Sequence, residues 1–219
     1  MLKKLRVTVT AGPTREMLDP VRFLSNVSTG QMGYELAREA KQLGFQVSLV
    51  SGPTHLDPPQ NVFLIRVVTA HEMKQAIKKL WPKTDVLIMT AAVCDYTPVH
   101  FSPRKIKRIK QKSIQFKRTE DILSFFGKRK GKRLLVGFAL ETDHFLEYAV
   151  QKLKAKNLDL IVLNWYNQTH NPFGQNKASM ILIDRNGKRS TLRRMSKQNA
   201  AHEILAETIT LLESSTLSH

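Results

Sequence analysis

The sequence has a single cysteine, Cys94, which excludes an internal disulfide framework and fits a reducing compartment. No apolar run approaches the roughly 18–20 residues that span a bilayer. Nothing behind Met1-Leu2-Lys3-Lys4-Leu5-Arg6 reads as the apolar stretch and small-residue cleavage site of a signal peptide. A cytoplasmic protein with no membrane partner is expected. No Gly-x-Gly-x-x-Gly follows the first strand-like run, and the second such run ends in Ser51-Gly52-Pro53 with no acidic residue for a ribose, which disfavours a nicotinamide-dependent reductase. A Walker-type Gly-x-x-x-x-Gly-Lys-Ser/Thr is missing too. The histidines are scattered, and His71-Glu72 has Gln75 where a zinc protease would carry its second histidine, so no structural metal site is expected.

Basic charge is abundant. The formal net charge is +17, concentrated in Arg104, Lys105, Lys107, Arg108, Lys110, Lys112, Lys117 and Arg118, with a second cluster at 128–133. Three readings compete: a nucleic-acid footprint, a field that attracts a polyanionic small substrate, or an ordinary solvated surface. The first run offers only Phe116 for base stacking, which weighs against a basic nucleic-acid-binding α/β protein.

Hydrophobic residues make up 42% of the 219, enough for one sizeable core, and residues 1–219 read as one domain. Strand patterns at 5–10, 47–50, 62–67, 85–93, 114–117, 134–139 and 158–163 alternate with helical patterns at 31–43, 70–80, 120–126 and 145–156. A hairpin at 179–184 and 190–193 is centred on Asn186-Gly187, and a helix closes the chain at 196–212. This order predicts an α/β fold, a Rossmann-like, mostly parallel sheet with helices on both faces and an antiparallel edge hairpin.

In such sheets ligands bind beyond the carboxyl ends of the strands. Residues 10–33 form a strand-to-helix connection of about twenty residues where roughly two to six are usual. It carries Arg22, Asn26 and Ser28 and closes on Gly30 and Gly33 at a helix start, where backbone amides favour anions; the plainer alternative makes Ser28 or Thr29 a helix cap. After the most apolar strand comes Ala91-Ala92-Val93-Cys94-Asp95-Tyr96, with Asp95 placed to meet a sugar or metal, or merely to turn the chain. Cys94, among small residues, reads as a core residue. Lys105-Ile106-Lys107-Arg108 sits in a charged loop whose interleaved isoleucines suit docking. Lys152 and Lys156 share a helix face with Tyr148, which suits phosphates and equally suits the end of a helix.

Read in order, T-A-G-P-T-R-E-M-L-D-P-V-R-F-L-S-N-V-S-T-G-Q-M-G (10–33), S-G-P (51–53), A-A-V-C-D-Y (91–96), K-I-K-R (105–108), G-F-A-L-E-T (137–142) and Lys152-x-x-x-Lys156-Asn157-x-Asp159 resemble phosphopantothenoylcysteine synthetase over nearly the whole chain. The resemblance implies ligation of 4′-phosphopantothenate to cysteine through an acyl-cytidylate formed from CTP with Mg²⁺, in coenzyme A biosynthesis. It also implies a homodimer built on the late hairpin and on Trp165, Tyr166 and Phe173. A separate flavin-dependent phosphopantothenoylcysteine decarboxylase would follow, with no FMN here.

By the same resemblance Met89, Thr90 and Ala91 line the nucleotide, which Asp95, Lys105, Glu120, Asp121, Ile122, Leu123, Phe138, Lys152 and Lys156 also contact. Lys105 belongs to a mobile lid and serves the first half-reaction. Asn26 handles the acyl-cytidylate, its amide able to donate to the acyl carbonyl and to accept from the incoming amine. Arg22, Ser28 and Gly30 are implied as substrate or phosphate contacts. Departures stand at Gln31 for a common lysine, Cys94 and Leu140 for alanines, and Thr119-Glu120-Asp121 for Asn-Pro-Asp; the acidic Glu120 leaves the choice of CTP over ATP open.

Overall fold

The computed structural model describes residues 5–108, 113–166 and 177–217. Its main sheet has eight strands in the order β12-β11-β10-β9-β6-β1-β4-β5. Six run parallel: β1 (Arg6–Ala11), β4 (Gln46–Ser51), β5 (Phe63–Arg66), β6 (Val86–Met89), β9 (Leu134–Glu141) and β10 (Leu160–Trp165). The hairpin strands β11 (Lys177–Asp184) and β12 (Arg189–Ser196) add antiparallel at the β10 edge, as expected. Their turn is closed by Asp184, whose Oδ1 accepts from the amides of Asn186 and Lys188.

Alternation along the strands explains why both faces are covered. Val86 and Ile88 in β6, with Leu160 and Val162 in β10, pack under α1 (Gln31–Gln42) and α5 (Lys197–Leu217). Leu87, Ile161 and Leu163 turn the other way, under α2 (Ala70–Leu80), α3 (Ile122–Gly127) and α4 (Phe145–Ala155). Ile88 is fully buried, and truncating such a side chain to alanine costs about 2–5 kcal/mol.

At the amino ends of these strands Asp159, 2% exposed, accepts from Lys130 Nζ at 2.8 Å, Arg185 Nη1 at 3.0 Å and the Leu135 amide at 2.8 Å. Arg133 stacks over Trp81 and donates to the carbonyls of Trp81 and Thr84. Arg129 lies over Phe125. Much of the 128–133 cluster is therefore internal fastening.

Three sequence expectations change. Residues 10–33 are not one long loop: β2 (Arg15–Asp19) and β3 (Arg22–Ser25) form a hairpin within them. The strand expected at 114–117 is β8 (Phe116–Arg118), which pairs with β7 (Tyr96–Pro98) in a separate ribbon. The apolar run 85–93 is a strand only over β6, because Ala91–Val93 leave the sheet to line the site. Phe173 and residues 109–112 of the basic run lie outside the described residues.

Candidate functional site

Along the chain the parallel strands appear as β1, β4, β5, β6, β9, β10, and across the sheet as β5-β4-β1-β6-β9-β10. The order reverses between β1 and β6, so the loops after these two strands diverge and leave a crevice at their carboxyl ends. A cavity of about 890 Å³ occupies that crevice and extends over β9 toward β11, a size suited to a nucleotide-sized ligand.

One wall comes from α1. Gly30 caps it with φ 79°, a conformation glycine adopts freely. Gly33 lets the helix cross tightly, since a Cβ there would lie 2.5 Å from Thr90 Oγ1 and 2.6 Å from Ala11 Cβ. The first-turn amides thereby open on the cavity with only long contacts from below, Gly30 to Ser28 Oγ at 3.3 Å and Gln31 to Thr29 Oγ1 at 3.4 Å.

Asn26 follows β3 and stands at the cavity mouth. Its Nδ2 donates to the carbonyls of Ala92 (3.2 Å) and Val93 (3.0 Å), which fixes the amide's orientation, because the reverse would set oxygen against two oxygens. Both donors thus have carbonyl partners, and the expected donation to an acyl carbonyl would require one of these bonds to be given up. Cys94 is buried against Thr14 and Leu24, and burial pushes its thiol up from the ordinary value, which suits a core residue and not a nucleophile.

The opposite wall comes from α3 and α4. Asp121 caps α3 through Ser124 and meets Lys156 at 3.1 Å; burial raises its carboxyl, but Ser124 and Lys156 outweigh that and hold it below its usual value. Lys152 meets Glu141 at 2.5 Å. Glu120 pairs with the buried Lys74, which holds the carboxylate below its usual range. Its charge is therefore already offset where it borders the cavity.

The lining includes Asn26, Ser28, Gly30, Met89, Thr90, Ala91, Asp95, Glu120, Asp121, Ile122, Leu123, Phe138, Lys152 and Lys156. Arg22 and Lys105 stand apart. Arg22 closes on Asp19 and on the carbonyl of Ile106, and Lys105 is exposed on the adjoining loop. Sequence reasoning passed over Arg118, Asn164 and Lys197 as lining residues. The departures Gln31 and Leu140 were the nearest signal, for both border the cavity on that side.

Among the described residues no group of three or more His, Cys, Asp or Glu side chains could hold a metal ion, and no helix is long and apolar enough to cross a membrane.

The family model of the DNA/pantothenate metabolism flavoprotein C-terminal domain matches residues 2–212. The chain is 43% identical over 208 residues to the coenzyme A biosynthesis bifunctional protein CoaBC of Bacillus subtilis (strain 168), covering 94% of this chain and 51% of that protein. It is also 43% identical over 210 residues to a cysteine/cysteine sulfinic acid decarboxylase from an unknown prokaryotic organism, covering 94% of this chain and 58% of that one. The crystal structure of the C-terminal domain of a coenzyme A biosynthesis bifunctional protein CoaBC superposes with a TM-score of 0.83 at 40% identity, over 97% of this chain and 98% of that domain. The chain spans about half the length of the curated relatives it matches.

Proposed function

The chain belongs to the family of the DNA/pantothenate metabolism flavoprotein C-terminal domain, and from that premise we propose that it is a phosphopantothenate–cysteine ligase using CTP. Relatives of equal identity carry different activities in their names, so the reading rests on the site. The carrying observation is the cavity at the β1/β6 crevice, which gathers the amino terminus of α1, the Lys152 and Lys156 side chains and the neutral amide of Asn26.

In the first step a carboxylate oxygen of 4′-phosphopantothenate attacks the α-phosphorus of CTP; the P–O bond to the β-phosphate breaks and pyrophosphate leaves. In the second, the cysteine amine attacks the acyl carbon, the acyl–oxygen bond breaks, CMP leaves and the nitrogen sheds a proton. The attacking carboxylate is already a nucleophile, so the protein's task is to hold mutually repelling anions together. Lys152 and Lys156, now paired with Glu141 and Asp121, offer positive charge to the nucleotide. Asn26 Oδ1 accepts an N–H of the amine and aims its lone pair at the acyl carbon. Lys105 approaches from the loop beside the cavity to serve the first step.

Asp95, an exposed lining carboxylate with no ion pair among the described residues, fits a Mg²⁺ that arrives on the triphosphate and needs one or two protein oxygens. The ion would neutralise phosphoryl charge. A nicotinamide reading meets Ser51 at the end of β4, where a ribose-binding acid would stand.

A homodimer belongs to the same proposal, with a changed contact. The β12 edge presents Arg189, Arg193 and Arg194, which repel a second copy of that edge, and Trp165 already stacks on Phe145. The β2–β3 and β7–β8 ribbons and the loop after β7 instead expose Val21, Phe23, Phe101 and Phe116. Sedimentation should give a dimer for the intact chain and a monomer for Val21→Glu/Phe101→Glu; a monomeric intact chain at micromolar concentration overturns the dimer.

The test of the reaction is pyrophosphate release from CTP or ATP with phosphopantothenate, with and without cysteine. Release from CTP without cysteine, and product only with it, is expected. No release from either nucleotide removes the ligase reading, and release from ATP alone replaces CTP in it.

A further inference from the structure

Lys197 opens α5, and its side chain reaches the α1 wall of the cavity, 166 residues away in sequence, where Nζ donates to Gln31 Oε1 at 2.9 Å. The residue is only 8% exposed. Burying an ammonium costs several kcal/mol unless an anion meets it, and no carboxylate lies within ion-pair distance among the described residues. The acid whose charge reaches it, Glu35, is taken by Arg38 at 2.5 Å. Burial holds the Lys197 ammonium below the usual lysine value, with Glu35 pulling only partly the other way.

Its position adds to the cost. A cation is unfavourable at a helix N-terminus, and Lys197 sits at two: it is the first residue of α5 and touches the first residue of α1. Neither helix has an acidic residue in its first turn, and α1 has no side-chain cap. Two helix amino termini and a buried ammonium thus meet at this wall with only neutral oxygens to answer them: Gln31 Oε1 for Lys197, Ser196 Oγ for the Asn199 amide of α5, and the distant hydroxyls of Ser28 and Thr29 at the start of α1. Lysine stems pack as hydrocarbon, but packing alone is served better by methionine, without the charge.

We propose that Lys197, with Gln31 and the first-turn amides of α1, forms an anion-binding site for a phosphoryl group of the reactants. The inference rests on the ligase reading. The site lies across the sheet from Lys152 and Lys156, which belong to the α3/α4 wall. The cavity therefore holds two separate cationic poles. The phosphoryl group at Lys197 comes either from the polyphosphate of the nucleotide or from the phosphomonoester of the acyl substrate.

The experiment measures binding without turnover. Titration calorimetry on the intact protein and on Lys197→Met is run with CTP–Mg²⁺ alone, with phosphopantothenate alone, and with unphosphorylated pantothenate as control. A charge-assisted contact of this kind predicts that affinity for one phosphorylated ligand falls about tenfold or more. Loss for CTP assigns the site to the polyphosphate; loss for phosphopantothenate assigns it to the phosphomonoester. The melting temperature of Lys197→Met should hold or rise, since a buried charge without an anion is removed; a structural lysine would lower it. Gln31→Lys/Lys197→Gln, which moves the ammonium across the same contact, should recover binding. If the intact protein binds neither phosphorylated ligand, the ligase reading fails. If it binds them and Lys197→Met binds both equally well, or if Lys197→Met loses binding only by melting, the phosphoryl site fails.

Discussion

Asp19 and Arg22, three residues apart across the β2–β3 turn, together hold the backbone of Ile106. The Asp19 carboxylate, wholly buried, accepts the Ile106 amide at 3.1 Å while the Arg22 guanidinium donates to the Ile106 carbonyl at 2.7 Å and returns to Asp19. Lys105, the preceding residue, is thereby set at a fixed point on the loop. Arg22 braces this loop and is not among the residues that line the cavity.

Asp19→Asn should release Ile106 and slow pyrophosphate formation about tenfold while leaving the melting curve cooperative. Arg22 holds the Asp19 carboxyl well below the usual carboxylate range. Stability from a depressed carboxyl is complete above the unfolded value near 4 and is lost only as pH falls through the lower folded value. Hydrogen exchange of the Ile106 amide should accordingly remain slow at pH 5 in the native chain and become fast in Asp19→Asn. Equal exchange in the two proteins would remove the brace.

Asn26→Asp replaces two donors by an acceptor facing the carbonyls of Ala92 and Val93. The site is exposed, so water meets the freed atoms and the melting temperature should change little. Rapid-quench trapping should also show acyl-cytidylate accumulating, because a misdirected Oδ1 fails the incoming amine and not the triphosphate. Equal slowing of the two half-reactions would make Asn26 a fastening of the loop and nothing more.

Gly33→Ala places a Cβ against Thr90 and Ala11, atoms of the neighbouring strand ends with little room to yield. Overpacking at such a contact costs about 1–3 kcal/mol, and α1 must retreat from the crevice. Denaturant unfolding should register the loss, with weaker CTP binding beside it. An unchanged midpoint would show that the helix accommodates the methyl group.

His202 on α5 meets Glu39 on α1 at 2.8 Å, and Glu39 raises its pKa. The raised value means that this contact contributes below about pH 6.5, the ordinary histidine value, and is lost as pH rises through the higher folded one. The melting temperature of the native chain should therefore fall more steeply from pH 6 to pH 9 than that of His202→Gln. Parallel curves would assign the pair no role in docking α5 on α1.

The sheet was legible because β6, β9 and β10 are apolar on both faces, β1 alternates valine with threonine, and α1 and α2 carry stripes at helical spacing. The Asn186-Gly187 turn likewise announced the edge hairpin. The two ribbons were legible only in part. The strand expected at 114–117 overlaps β8, but nothing marked its pairing with β7. The β2–β3 hairpin was read as loop, because β3 is exposed along most of its length and shows no period to detect. Lys197 was hidden for another reason. A lysine opening an amphipathic helix reads as solvated, and only the docking of α5 on α1 encloses it.

Asp159, with Lys130 and Arg185, fastens the sheet at the ends of the strands remote from the crevice. Foundation and workshop are thus at opposite ends of one frame. A lineage can alter the residues around Asn26, Glu120 or Gln31 without disturbing the charges that anchor β9 to β10 and the β11–β12 turn. Such a frame tolerates changes of substrate at one end while inheriting its shape from the other, and mutational scans of the two ends should differ accordingly, in solubility at Asp159 and in chemistry at the crevice.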